Sequence, residues 1–348
     1  MESKYLYSKL ESFRGLAASM IVLFHSPFRF SENYSQFFNH CYLFVDFFFI
    51  LSGFIISHSY YNKISTGLKF KTYILKRLIR IYPLHIFFLI FWVFLSLLNY
   101  LLYSKFFLPE NNHLASFISN LLLLHSTGIH DYLSWNKPSW SISSELIIYI
   151  MFFYTSYYLD KKNSLLIPIV ISCSIYLLLL FYLSPNLSNT FQFGYLRAIA
   201  GFYLGVFIYR IKVNHLKESG LNNKYFEPIS ILLSLSTISF FYYSIHIKFL
   251  CLLSFGFLLI IFSKKESSYI GLFLEKKQIV FLGKISYSIY MSHFAVVIFF
   301  KNYSSLLFGQ SIKHYPFLAN LIMLLTIYVI SYFLYFFIEK KTVNFIKK

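Results

Sequence analysis

The sequence predicts an all-α fold: a polytopic bundle of about ten membrane-spanning helices plus one short extra helix. Three observations carry that expectation. The chain has 348 residues, of which 57% are hydrophobic and 13% charged. A soluble domain carries about a quarter charged residues, so this chain lacks the polar surface to cover a soluble fold. Continuous apolar runs of span length recur along it, where an outer-membrane barrel would show only weak alternation. The basic residues fall in alternate connections, as the positive-inside rule requires.

The apolar runs are 12–30, 41–60, 80–103, 116–126, 139–159, 164–183, 191–209, 228–245, 247–263, 281–300 and 317–338. The first follows Lys4 and Lys9, as in a signal peptide. It has no small-residue cleavage site and carries Arg14 and His25, so it reads as an uncleaved first span. The 116–126 run is too short to cross and reads as re-entrant or interfacial. Ten spans remain. With the N-terminus in the cytoplasm, the inner connections hold Lys63, Lys69, Lys71, Lys76, Arg77 and Arg80, then Lys161 and Lys162, then Arg210, Lys212, Lys217 and Lys224. Lys264, Lys265, Lys276, Lys277 and Lys284 follow, and the tail adds Lys340, Lys341, Lys347 and Lys348. The outer connections hold only Arg29, Lys105, Lys137, Lys248, Lys301 and Lys313. Both termini are therefore expected inside, and counting 116–126 as a span would invert every later loop.

The whole chain, 1–348, reads as one membrane-embedded domain, because its longest hydrophilic segments are too short to fold alone. The net charge of +18 is accounted for by loop anchoring at lipid headgroups, so no nucleic-acid partner is expected. Cys41, Cys173 and Cys251 are isolated and give no disulfide framework; Cys173 and Cys251, inside apolar runs, are expected to pack. The sequence has no HExxH and no nucleotide-binding glycine loop, and His40, His58, His85, His113, His125 and His130 lack metal-ligand spacing, so no metal is expected.

Ionisable residues inside a membrane are costly and are functional candidates. In the first span, Arg14 and His25 lie about 16 Å apart along a helix axis at ~1.5 Å per residue. Arg14 falls at the inner face and His25 in the outer half. The same depth reasoning puts Asp46, Glu145, Arg197 and His293 in the outer half, on four other helices. One polar cavity there is the economical expectation. Asp46 and Arg197 are equally well read as a pair that holds helices together. A second cluster stands at the inner face, where Arg77 and Arg80 share a helix face with Pro83 near the helix start. Forked guanidiniums suit a phosphate ligand, and a plain positive-inside anchor is the competing reading.

The motifs resemble those of the acyltransferase-3 family of integral membrane acyltransferases. The segments are Phe13-Arg14-Gly15-Leu16-Ala17-Ala18 leading to Phe24-His25, Val45-Asp46-Phe47-Phe48-Phe49-Ile50-Leu51-Ser52-Gly53-Phe54, Arg77-Leu78-Ile79-Arg80-Ile81-Tyr82-Pro83, Ser139-Trp140-Ser141-Ile142-Ser143-Ser144-Glu145, and Ile285-Ser286-Tyr287-Ser288-Ile289-Tyr290-Met291-Ser292-His293. Each is weak alone; five in order, over residues 10 to 300, are specific. The resemblance implies an O-acetyltransferase of the bacterial inner membrane. It would take an acyl group, usually acetyl, from cytoplasmic acetyl-CoA or another acyl-CoA, a donor substrate rather than a resident cofactor. The acceptor would be a hydroxyl of a cell-surface polysaccharide (O-antigen of lipopolysaccharide, capsule or exopolysaccharide) or its lipid-linked precursor. It implies that Arg14, Arg77 and Arg80 serve the donor and that His25 is catalytic; the chemistry allows His25 to act as base or to carry the acyl group, with Glu145 or Asp46 orienting its ring. Trp140, Ser141, Arg197 and His293 are the other substrate-binding candidates, Arg197 as a charge near the carbonyl oxygen. Some members carry an added SGNH-type hydrolase domain; none follows the last run here, so the domain is expected to work alone or with a separate partner. The alternative from another class is a transporter or flippase of a lipid-linked glycan or acyl donor.

Overall fold

The computed structural model describes residues 8–30, 32–103, 111–162, 165–215, 223–241, 243–264 and 268–342. Among these residues there are helices and no strands. In chain order they are α1 (Ser8–His25), α2 (Glu32–His40), α3 (Phe44–Ser65), α4 (Phe70–Tyr103), α5 (Leu114–Leu121), α6 (Trp140–Lys162) and α7 (Leu166–Leu178). Then come α8 (Gly194–His215), α9 (Asn223–Ser239), α10 (Ile245–Phe262), α11 (Tyr269–Leu274), α12 (Lys277–Lys284), α13 (Ser286–Phe308) and α14 (Pro316–Leu334).

Every apolar run of span length is met by a long helix, and the short 116–126 run by the eight-residue α5. By length and composition, four helices can cross a membrane: Gln36–Ser65, Phe70–Leu102, Leu166–Leu183 and Pro316–Thr342. The bent pair α12 and α13, which meet at 64°, makes a fifth. Large apolar side chains point outward, among them Leu101 at 79%, Leu306 at 82% and Phe317 at 71% exposure. That is the surface of a helical membrane protein, with lipid as the solvent of its outer face. Several loop bases used to orient the chain (Lys105, Lys217, Lys265, Lys347 and Lys348) lie outside the described residues.

Five helices organise the interior. α1 touches α3, α3 touches α6, α6 touches α4, α4 touches α13, and α13 returns to α1. This closed ring is backed by α8 against α3 and α6, and by α14 against α13. Small residues set the spacing, as is usual between helices in lipid. A Cβ on Gly53 would strike the Phe202 carbonyl, and one on Gly205 the Ile50 carbonyl, so α3 and α8 meet backbone to backbone. A Cβ on Gly283 would strike the Glu11 carbonyl, so α12 fixes the start of α1 in the same way.

Three apolar clusters fill the space between helices. One joins α4, α6 and α8 around Trp92, Phe152 and Phe202. A second joins α3, α8 and α10 around Phe47, Phe54 and Phe255. The third joins α1, α13 and α14 around Val22, Ile289 and Met323.

Two local expectations change. Pro83 is inside α4, not near its start, because the helix begins at Phe70. The residues before 80 belong to the helix despite their charge: Tyr73 is fully buried against Tyr60 at 5.1 Å between rings. Proline at this place leaves the Ile79 carbonyl without its usual donor. Cys173 is exposed on the outer face of α7, whereas Cys41 and Cys251 are buried; being in an apolar run does not say which face meets lipid.

Candidate functional site

The five-helix ring encloses a cavity of about 270 Å³. Glu11 and Arg14 of α1 line one end, with Arg77 and Arg80 of α4. Val45 and Phe48 of α3, Ser141 of α6 and Tyr290 of α13 line the other. Val45 and Ile56 both line it from α3, so it runs about 16 Å along that helix at ~1.5 Å per residue.

The guanidiniums are held in different ways. Arg14 Nη1 bonds Glu11 Oε1 at 2.8 Å, with 18% and 25% of the two side chains exposed. Arg77 donates to Tyr60 Oη at 2.7 Å and lies over the rings of Tyr60 and Tyr149, at 4.6 Å and 5.9 Å. Its Nε is buried with no partner. Arg80 retains open surface, although its helix is part of the ring, so that surface belongs to the cavity. Neither Arg77 nor Arg80 forms an ion pair among the described residues. The sequence spacing of this pair is therefore realised as one cavity wall.

Glu145 is in this cavity too. Tyr149 donates to its Oε2 at 2.9 Å, and Arg80, Arg14 and Arg77 are its charged neighbours. Depth along the chain had placed Glu145 with the outer polar residues. Depth does not say which neighbour a side chain meets, and a carboxylate in an apolar bundle is costly away from cations.

Asp46 and Arg197 form a closed unit. Arg197 Nε and Nη2 donate to the two Asp46 oxygens at 2.9 Å and 2.6 Å. Arg197 also donates to the carbonyls of Asn189 and Tyr42, each at 3.3 Å. Its guanidinium lies 5.5 Å from the Trp140 ring centre. Asp46, Trp140 and Arg197 are buried, and none lines the cavity.

His25 and His293 form the third group, with ring centres 5.2 Å apart. His25 ends α1 and is exposed; His293 is fully buried. His293 Nδ1 lies 2.5 Å from the Tyr290 carbonyl, which can only accept, so Nδ1 carries the proton. Nε2 is then an acceptor, and it has no partner among the described residues. Ser286, Tyr290 and His293 follow one face of α13, so the cavity wall continues into the histidine pair. Arg14 and His25 are about three turns apart on α1, which aligns them in the same way. The single outer cavity expected from sequence is thus three separate groups. No hydrogen bond or ion pair joins His25 to Glu145 or Asp46 among the described residues.

The sequence model of the family described as an acyltransferase domain matches residues 7–343. The chain belongs to the acyltransferase-3 family. No curated protein and no solved structure matches it. The family makes the protein a membrane acyltransferase.

Two of this acyltransferase's cavity residues, and one charged neighbour of its arginines, were missed in the sequence. Glu11 and Tyr149 stand three and four residues from Arg14 and Glu145, a spacing that signals contact on a helix. Glu339 gave no such signal. It lies past the last apolar run, in a π-turn at Tyr335–Glu339 that extends α14. There it accepts a hydrogen bond from Ser288, and Arg80 and Arg14 are its charged neighbours. The loop before α6 fixes the Trp140-Ser141 corner: Ser143 Oγ donates to the Leu123 carbonyl at 2.6 Å, and Ser126 and Ser144 hydroxyls are 2.9 Å apart.

Proposed function

We propose that this membrane acyltransferase transfers acetyl from cytoplasmic acetyl-CoA to a hydroxyl of a cell-surface polysaccharide or its lipid-linked precursor. It works in the bacterial inner membrane, with ten spans and both termini cytoplasmic. One observation carries the reading: a single cavity leads from three arginines to within one helical turn of the His25–His293 pair. Arg14, Arg77 and Arg80 hold the donor's phosphates, for which forked donors are suited. Glu145 and Tyr149 keep those guanidiniums in place. The thioester arm runs along the cavity toward Ser141 and Tyr290.

Beyond the far end His25 removes the proton of the acceptor hydroxyl as its oxygen attacks the thioester carbonyl carbon. The new C–O bond forms, the C–S bond breaks, and the departing CoA sulfur takes the proton back from His25. His293, its ring centre 5.2 Å from that of His25, keeps His25 oriented by packing. Asp46 and Arg197 fix the helices that carry the site.

The test uses membranes or purified protein with labelled acetyl-CoA. His25→Ala lowers transfer of label to the glycan by about 10²–10⁴-fold, the usual range for a lost general base. Protein abundance and glycan export stay normal. Export lost with acetylation intact would make the protein a transporter instead.

A further inference from the structure

Val45, Phe48, Phe49, Ser141, Ile142 and Tyr290 form the wall at the far end of the cavity, and neither His25 nor His293 lines it. Of three consecutive phenylalanines, Phe48 and Phe49 both line the cavity, but Phe47 and Phe49 are each 2% exposed and packed in, while Phe48 is half-buried. Phe48 also packs against all three apolar clusters, so it stands where they meet. Its ring centre is 6.4 Å from that of Tyr290. Beyond Tyr290 come His293, at 5.6 Å between rings, and then His25.

Phe48 and Tyr290 differ in freedom. Tyr290 is pinned: its hydroxyl donates to the Pro138 carbonyl at 2.9 Å and accepts from Ser141 Oγ at 2.8 Å. Phe48 has no polar anchor and is kept in place by packing alone. On the acyltransferase reading, an acyl group coming from the arginine end passes Phe48 on its way to the histidines.

We infer that Phe48 sets the size of the acyl group this enzyme transfers, admitting a short acyl such as acetyl and rejecting longer chains. The inference rests on the acyltransferase reading above. A helical phenylalanine has few rotamers, and Phe48 shares its surroundings with three packed clusters. A small shift of its ring clears a two-carbon group. A long chain requires the ring to leave its place altogether.

The experiment compares acetyl-CoA, butyryl-CoA and octanoyl-CoA as donors for the full-length protein in membranes that carry the native glycan. Binding of free CoA by the purified protein is measured alongside. Wild type favours acetyl over octanoyl by about 100-fold, within the discrimination a hydrophobic pocket achieves. Phe48→Ala reduces that ratio by about 10-fold or more and Phe48→Leu by about 3-fold, because each widens the passage by a few methylenes. Free CoA binds all three proteins alike. The leucine variant carries the test where the alanine variant does not fold. An unchanged donor ratio in a variant that still binds CoA overturns the role of Phe48, as does a wild type that uses octanoyl as well as acetyl. Failure of the acyltransferase reading looks different: wild type then neither binds free CoA nor transfers any of the three groups.

Discussion

Arg197 and Arg80 are both guanidiniums carried into an apolar bundle, and they are built into it in opposite ways. Arg197 is matched by both oxygens of Asp46 and by two backbone carbonyls, and its pair is buried. Arg80 keeps open surface in a cavity and has no ion pair among the described residues. A charge whose needs are met inside the protein joins helices. A charge left open to a cavity has capacity for a ligand. The contrast separates support from chemistry among residues that sequence alone treats as equals.

The largest expected effect tests the closed side. Arg197→Ala leaves Asp46 buried and unpaired, which costs about 3–5 kcal/mol when one partner of such a pair is removed. Unfolding of the purified protein in detergent reads it directly. The double replacement Asp46→Leu with Arg197→Met removes both charges, and stability returns most of the way, because a buried pair often gains little over apolar packing. If that double variant folds but transfers nothing, Asp46 or Arg197 takes part in the chemistry and the contrast fails.

The open side is tested by Arg80→Ala. Its loss weakens binding of free CoA by about 10–100-fold, the equivalent of ~1.5–3 kcal/mol for hydrogen bonds to a charged group. Folding changes less than in Arg197→Ala, since no ion pair is broken and Arg14 and Arg77 remain beside Glu145. Calorimetric titration of the purified variant checks the first part and its unfolding midpoint the second. Normal CoA binding would return Arg80 to the role of an ordinary inner-face anchor.

The sequence made the helices legible but not their faces. Continuous apolar runs located every long helix because twenty apolar residues in lipid have few alternatives to a helix. The spacing of Arg77 and Arg80 foretold a shared wall. The start of α4 was hidden because Lys71, Lys76, Arg77 and Arg80 lower the local hydropathy, although Tyr73 and Ile81 on the same stretch are buried. Glu145 shows the deeper reason. Its depth in α6 was readable, but its company of three arginines depends on how α1, α4 and α6 are rotated about their axes. Glu339 enters the same field from the far end of the chain, through a π-turn that no local pattern marks. Contacts of this kind are made by tertiary packing, and local sequence carries no record of them.

Between the closed and open arginines stands Arg14, partly paired and partly available. Its partner Glu11 is on the same helix, and both side chains keep some exposure. A pair of that kind contributes about 0.2–1 kcal/mol, so Glu11→Gln changes stability little. It also removes a negative charge that competes with a phosphate for Arg14. Donor binding should therefore tighten by about two- to fivefold, the same energy expressed as affinity. The sign matters more than the size. Titration of free CoA into the variant at low ionic strength shows it, since salt screens exposed charges. Weaker binding would mean that Glu11 holds Arg14 in its working position, and that the open site depends on its own ion pair as the closed one does.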